Sequence, residues 1–401
     1  MPYNSYSTRR GGGSNRGRHF APSRRNNSSK RKGQYIDPAR FVKVAKPMLE
    51  VEAYVPLHEF ADFAVNQLIK DNLAGKGYVT PTPIQDQTIT VALEGHDVIG
   101  IANTGTGKTA AFGVPLLHHL MTVAGSRALI VAPTRELAQQ IEQECRSIAK
   151  GSGLSGALLI GGANIGPQLR DLRANPGIVI GTPGRIKDHL ERRTLNLANF
   201  NMVVLDEVDR MLDMGFINDV RQILNSLAPE RQSFFFSATM DPKVKSLIET
   251  FSHDPVTISV KSGDTADSVH QDVVPFADKA DKLEKLHDIL NDEIVSKAIV
   301  FDETQRSVER LSKELVARGF EADAIHGGKT QGQRQRALDK FKKSQVKILV
   351  ATDVAARGID VADISHVINF TQPQSYEDYV HRIGRAGRAG KTGYALTFVE
   401  R

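Results

Sequence analysis

The sequence predicts an α/β protein of two domains, each a mostly parallel sheet wrapped by helices, with a short linker between them. Three observations predict it. From about residue 57, short aliphatic runs alternate with amphipathic, helix-like segments. The runs are continuously apolar and do not alternate, which suits strands buried on both faces of a parallel sheet. The rhythm then breaks and restarts after about residue 269. At 401 residues the chain is long enough for two cores, at roughly 150 residues per domain.

Residues 1–45 are rich in Gly, Ser, Asn and Arg with few aliphatics, so they are expected to be disordered. Within 1–34 stand Arg9, Arg10, Arg16, Arg18, Arg24, Arg25, Lys30, Arg31 and Lys32, nine positive charges, and the first acid is Asp37. The whole chain carries +6, so the remainder is near −3 and the basicity belongs to the tail. Tyr3, Tyr6 and Phe20 lie among the cations and are able to stack on bases, so the tail reads as an RNA-holding arm. The plainer reading is a solubility tail, or a localisation signal at Lys30-Arg31-Lys32.

The first domain is expected over 46–256. Its strand-like runs lie at 97–102, 128–132, 177–181, 202–206 and 233–237. The Gly-, Asp- and Ser-containing stretch at 257–268 reads as the linker. The second domain is expected over 269–401, with runs at 297–301, 322–326, 347–351, 366–370 and 394–398. No run of about 18 apolar residues exists, so no membrane span is expected, and the N-terminus has no apolar secretory core. The one cysteine, Cys145, has no partner within the chain, which fits a reducing, cytoplasmic setting. No Cys/His cluster suggests zinc.

The chemistry falls just after the strand-like runs, where open α/β sheets bind ligands. "ANTGTGKT" occupies Ala102, Asn103, Thr104, Gly105, Thr106, Gly107, Lys108 and Thr109. Its glycines let backbone amides curl round phosphate oxygens, Lys108 reaches the β and γ phosphates, and the Thr109 hydroxyl binds Mg²⁺. The following helix adds partial positive charge at its N-terminus. "VVLDEVDRML" then ends a strand in acids. Asp206 is placed to hold Mg²⁺ and Glu207 to orient and deprotonate an attacking water. Alone, such acids read as a solvated helix start, and the preceding phosphate loop tips the balance. "HRIGRAGR" at 381–388 sits in the second domain, from which Arg385 and Arg388 reach across a cleft as arginine fingers.

Taken together, these residues resemble the DEAD-box RNA helicases of superfamily 2, over roughly 57–401. "GYVTPTPIQ" (77–85) resembles the Q motif, which implies that Gln85 reads adenine with Phe60 as the upstream aromatic. "ANTGTGKT" is similar to motif I and "DEVD" (206–209) to motif II. "SAT" (237–239) resembles motif III, implying that Ser237 and Thr239 link Asp209 to the second domain, with His381 in the same coupling role. "PTREL", "GG" and "TPGR" resemble RNA-contacting motifs, which implicates Pro133, Thr134, Arg135, Gly162, Thr182, Pro183, Gly184 and Arg185. In the second domain "QGQR" implicates Gln331 and Arg334, and "TDVAARGID" implicates Thr352 for RNA and Gly358 and Asp360 for the nucleotide.

The resemblance implies two RecA-like domains that close on ATP, Mg²⁺ and RNA, and an RNA-dependent ATPase that unwinds or remodels short duplexes and RNA–protein complexes. The backbone contacts it implies do not depend on base sequence. Two departures stand out: Val208 where the family usually has Ala, and Thr371 where Asp is common. An ATP-gated RNA clamp that does not unwind shares every motif and stays open. A DNA-directed relative fits the motifs less well. A monomer is the default expectation, with protein partners in an RNA-processing complex and any targeting supplied by the tail or those partners.

Overall fold

The computed structural model describes residues 36–44, 54–103, 105–260, 269–356, 361, 363–387 and 392–401. Two parallel sheets organise it, each wrapped by helices. The first has seven strands: β1 Val98–Ile101, β2 Ala128–Val131, β3 Gly156–Leu159, β4 Ile178–Gly181, β5 Met202–Leu205, β6 Gln232–Ser237 and β7 Val256–Ser259, in the order β3-β4-β2-β5-β6-β1-β7. The second has six: β8 Val269–Phe276, β9 Ala298–Phe301, β10 Ala322–Ile325, β11 Ile348–Ala351, β12 His366–Asn369 and β13 Gly393–Glu400, in the order β10-β11-β9-β12-β13-β8.

The continuous apolar runs form strands because both faces of each sheet are covered. In β6, Phe234 and Phe236 join one core and Phe235 the opposite one. In β9, Ala298 and Val300 face one core, Ile299 and Phe301 the other. Alternate residues leave a strand on opposite sides, so a strand buried on both sides needs no polar position.

Three strands were not apparent from the apolar runs. β3, β7 and β8 lie at sheet edges and expose part of their length, so their runs are interrupted. The β7 strand corrects the linker boundary. Residues 257–259 pair in parallel with β1, and the Val260 amide donates to Ile101 at 3.0 Å. The connection between the sheets therefore begins after Val260, not at 257.

The N-terminal expectation is also corrected in part. Ile36–Val44 is ordered. Asp37 caps a 3₁₀ turn at Pro38–Phe41, accepting from the Ala39 amide at 2.9 Å. Phe41 is fully buried in the second domain's core. Ile36 and Phe41 supply an apolar anchor that the polar average of the tail conceals.

Candidate functional site

The loop after β1 turns into the Lys108–Thr122 helix through Gly107, whose φ of +90° suits glycine. A side chain at Gly107 would also meet Gln85, since its Cβ would fall 2.4 Å from Gln85 Nε2. Gln85 donates that amide to the Gly107 carbonyl at 3.1 Å and accepts from the Thr82 amide at 2.8 Å, within a capping box. Thr82 in turn donates its hydroxyl to the Thr106 carbonyl at 2.8 Å. Gln85 thus ties its helix to the phosphate loop. Phe60 is buried as well, edge-on to Phe63 and Tyr78.

Lys108 is buried and donates to the Ala102 carbonyl at 3.0 Å, with Asp206 Oδ1 4.0 Å away. Thr109 is half-buried in the first turn of the Lys108–Thr122 helix, and in the preceding loop Asn103 is half-buried and Gly105 exposed. Burial, only partly opposed by the Lys108 charge and aggravated by Glu207, pushes the Asp206 carboxyl up to about 6. Glu207 sits at φ +54°, a left-handed conformation that costs a residue with a side chain about 1 kcal/mol or more. Arg210 Nε lies 3.4 Å from Glu207 Oε2.

Asp209 is held by the loop after β6. Its Oδ2 accepts from the amides of Ala238 and Thr239, both at 3.0 Å, and from the Thr239 hydroxyl at 3.3 Å. Its own amide donates to Ser237 Oγ at 3.3 Å. Val208, between Glu207 and Asp209 in the chain, is fully buried in the core that Val203 and Leu205 of β5 share.

On the second domain the Tyr376–Ile383 helix carries His381 and leads into Arg385, both lining a small cavity with Asp353. Arg210 from the first domain lines the same cavity. Arg382, which sequence reasoning passed over, is fixed most firmly. It pairs with both Asp353 oxygens at 2.5 and 2.7 Å and donates to Asn369 Oδ1 and the Thr371 carbonyl at 3.1 and 2.7 Å. Thr371 donates its hydroxyl to Asp302 Oδ1 at 2.6 Å. An Asp at 371 would face a like charge there; in this chain Asp302 provides the acid and Thr371 the donor.

The basic residues converge in a second place. The Arg135 guanidinium occupies the space over Gly161 and Gly162: a Cβ at Gly162 would lie 2.1 Å from its Nη1. Burial lowers the Arg135 pKa, and the Arg334 and Arg185 charges lower it further. Three guanidiniums that repel one another form a surface suited to a polyanion. Pro133 and Thr134 lead into this patch, Thr134 capping the next helix by accepting from the Leu137 amide at 3.2 Å. Thr182 and Pro183 are buried at the next helix start, Gly184 opens onto unfilled space, and Thr352 is half-buried at the end of β11.

Arg334 also crosses between the domains. Its Nη2 lies 2.8 Å from Glu136 Oε2, and Gln331 Nε2 donates to Gln139 Oε1 at 2.9 Å. Glu136 was missed because an acid inside a basic motif reads as a helix-start charge. Thr104, Gly358, Asp360 and Arg388 lie outside the described residues.

A profile of the DEAD/DEAH box helicases matches residues 82–247, and one of the helicase conserved C-terminal domain matches 281–390. The ATP-dependent RNA helicase CshA of Listeria monocytogenes is 46% identical over 344 residues, which are 85% of this chain and 66% of that protein. The chain therefore spans about two thirds of that relative's length. Among solved structures, Saccharomyces cerevisiae Dbp5 bound to RNA and ADP BeF3 superposes with a TM-score of 0.76 at 27% identity, covering 85% of this chain and 89% of that one. Mss116p bound to ssRNA and AMP-PNP superposes with a TM-score of 0.77 at 30% identity, covering 86% and 75%. No helix among the described residues is long and apolar enough to cross a membrane. With both halves of the chain matched, this protein belongs to the DEAD/DEAH box helicase family.

Proposed function

We propose that this chain is an ATP-dependent RNA helicase in which ATP and RNA draw two RecA-like domains together and hydrolysis releases them. The observation that carries the reading is that Lys108 and Asp206 group on one domain while Arg210, 3.4 Å from Glu207, shares a small cavity with His381, Arg382 and Arg385 of the other. The domain limits we assign are 54–260 and 269–401, with Ile36–Val44 joining the second.

DEVD at 206–209 is read as a variant of motif II with its three acids kept. Glu207 takes the proton of the attacking water, and Arg210 steadies its carboxylate. Lys108 exchanges the Ala102 carbonyl for phosphate oxygens when ATP enters. Asp206 and Thr109 are the carboxylate and hydroxyl that would hold Mg²⁺; oxygen donors suit this hard cation, and a buried acid with a raised pKa would gain a charge partner from it. Such an ion would supply positive charge against the nucleotide's phosphates. Arg385 and Arg388 stabilise charge developing on the transferred group, and Gly358 and Asp360 serve the ribose end.

Asp209 carries the state of the site to the loop at Ser237–Thr239. Arg135, Arg185, Gly162, Pro183 and Gly184 receive the RNA backbone on the first domain, and Thr352, Gln331 and Arg334 on the second, without reading bases. The basic tail adds counterion-release affinity. We place the protein in the cytoplasm as a monomer. Strand displacement of a short RNA duplex, driven by ATP and abolished in Lys108→Ala, tests the reading. ATP-dependent RNA retention without displacement replaces it with the clamp.

A further inference from the structure

Among the residues that line the small cavity at the domain contact, Arg210 alone comes from the first domain; the rest belong to the second. The cavity measures about 10 Å³, room for about one water molecule. Arg210 is 4% exposed, and its Nη1 has no hydrogen-bond partner among the described residues. A buried donor that meets no acceptor is costly, so Arg210 is held there by its surroundings and not by its own preference for water.

Two sides face that guanidinium. On its own domain stands Glu207, three positions earlier, with Oε2 3.4 Å from Arg210 Nε and the residue 3% exposed. Glu207 is the left-handed cap of the Val208–Asp213 helix, so the chain turns sharply between β5 and Arg210. On the far side stand Asp353, Asp378, His381 and Arg385 of the second domain. Asp378 and His381 lie one turn apart on the Tyr376–Ile383 helix, and Asp353 opens the short Asp353–Ala356 helix. Arg382 fixes this wall. It binds both Asp353 oxygens and the Thr371 carbonyl, and its guanidinium carbon lies 4.9 Å from the centre of the Phe301 ring.

We infer that Arg210 is a positioning residue for Glu207 whose grip depends on the second domain: contact with the wall of Asp353, Asp378 and His381 encloses the guanidinium against the Glu207 carboxylate, so the base is oriented only when the domains meet. The inference deepens the helicase reading and rests on it for the role of Glu207. With the domains apart, the part of Arg210 that lines the cavity faces water. An ion pair open to solvent holds its partners weakly, and a long side chain regains its rotamers. With the domains together, the same pair is enclosed and little screened, and the carboxylate is steadied. RNA, by drawing the domains together, thereby speeds hydrolysis through a residue assigned to neither the RNA nor the phosphates.

The test uses the full chain as parent, Arg210→Gln, Arg210→Lys, Glu207→Gln and the double variant Arg210→Gln/Glu207→Gln. ATP turnover is measured without RNA and at saturating RNA, and urea unfolding checks the fold. A reacting group misplaced by about 1 Å can cost about a hundredfold, so a base that is loosened and not removed should cost about tenfold. Arg210→Gln is expected to lower kcat at saturating RNA by that factor and to leave turnover without RNA within twofold, shrinking the stimulation by RNA about tenfold. A merely structural role would depress both rates together. Arg210→Lys keeps the charge and should lose only about two- to threefold of the stimulation. In single-turnover hydrolysis the double variant should match Glu207→Gln within twofold, because Arg210 acts through Glu207. Parental stimulation in a folded Arg210→Gln overturns the inference, as does a double variant about tenfold slower than Glu207→Gln. Should Arg210→Gln fail to fold, parental stimulation in Arg210→Lys overturns it equally. A parent that RNA does not stimulate refutes the helicase reading itself, and this inference with it; a stimulated parent beside an unaffected Arg210→Gln refutes this inference alone.

Discussion

Breaking the ion pair between Arg334 and Glu136 tests the interdomain geometry quantitatively. The two charges approach to 2.8 Å with both side chains less than a tenth exposed. They come from different sheets, so the pair exists only when the domains meet. In Arg334→Met the Glu136 carboxylate is left buried without its partner. Loss of one member of a buried pair costs about 3–5 kcal/mol. Part of that is recovered, because the cleft opens and Glu136 regains water. We therefore assign about 2–3 kcal/mol to closure, or roughly 30- to 150-fold. The assay is the RNA concentration for half-maximal ATPase at saturating ATP, measured for Arg334→Met, Glu136→Gln and the double variant. Each single change is expected to raise it tenfold or more, with the double variant no worse than the worse single. Additivity within about 0.5 kcal/mol would refute the reasoning. Arg334 would then act on phosphates alone, as the sequence implied.

Three further outcomes are expected. Gly162→Ala places a methyl where Arg135 Nη1 lies and should weaken RNA binding about tenfold, as Arg135→Ala does, while leaving ATP affinity unchanged by equilibrium titration. Val208→Ala removes two buried methyl groups and should lower the first domain's stability to urea by about 2 kcal/mol, with kcat at saturating RNA within twofold. A shift in the RNA dependence of ATPase larger than any change in the maximal rate, with stability unchanged, would instead give Val208 a role in coupling hydrolysis to domain closure. Burial pushes the His366 pKa down to about 4, well below the ordinary imidazole value. The unfolded chain then binds the extra proton between about pH 6.5 and 4, so stability is lost as pH falls through that window, by about 3 kcal/mol in all. His366→Phe should flatten that part of the pH–stability curve.

Much of the fold could be read from the sequence because buried parallel strands have no polar positions. "ALIVA" and "MVVLD" are unbroken for that reason, and they lie in the sheet interior as β2 and β5. Edge strands escaped because water covers one side of them: β7 reads Val-Thr-Ile-Ser and exposes Thr257 and Ser259. At the site, residues joined by local geometry were readable, such as Lys108 beside its loop, whereas the tie from Asp209 to the "SAT" turn, 28 to 30 positions on, was legible only through the family resemblance. Pairs made by tertiary approach were not. Nothing near Arg382 in the sequence announces Asp353, 29 positions earlier, and nothing near Arg334 announces Glu136. The anchor at Ile36 and Phe41 was hidden by the composition of the tail around it.

The central claim is that one buried acid supports hydrolysis while the surrounding frame supports closure on RNA. Glu207→Gln keeps the size of the side chain and removes its basicity. The decisive measurement is RNA-stimulated ATP turnover in that variant, taken alongside ATP-dependent RNA binding in the same preparation. The account predicts that turnover falls by at least a hundredfold, at the lower end of what a general base contributes, while RNA binding in the presence of ATP persists. Turnover near the parental rate, or loss of RNA binding together with turnover in a folded protein, would contradict it.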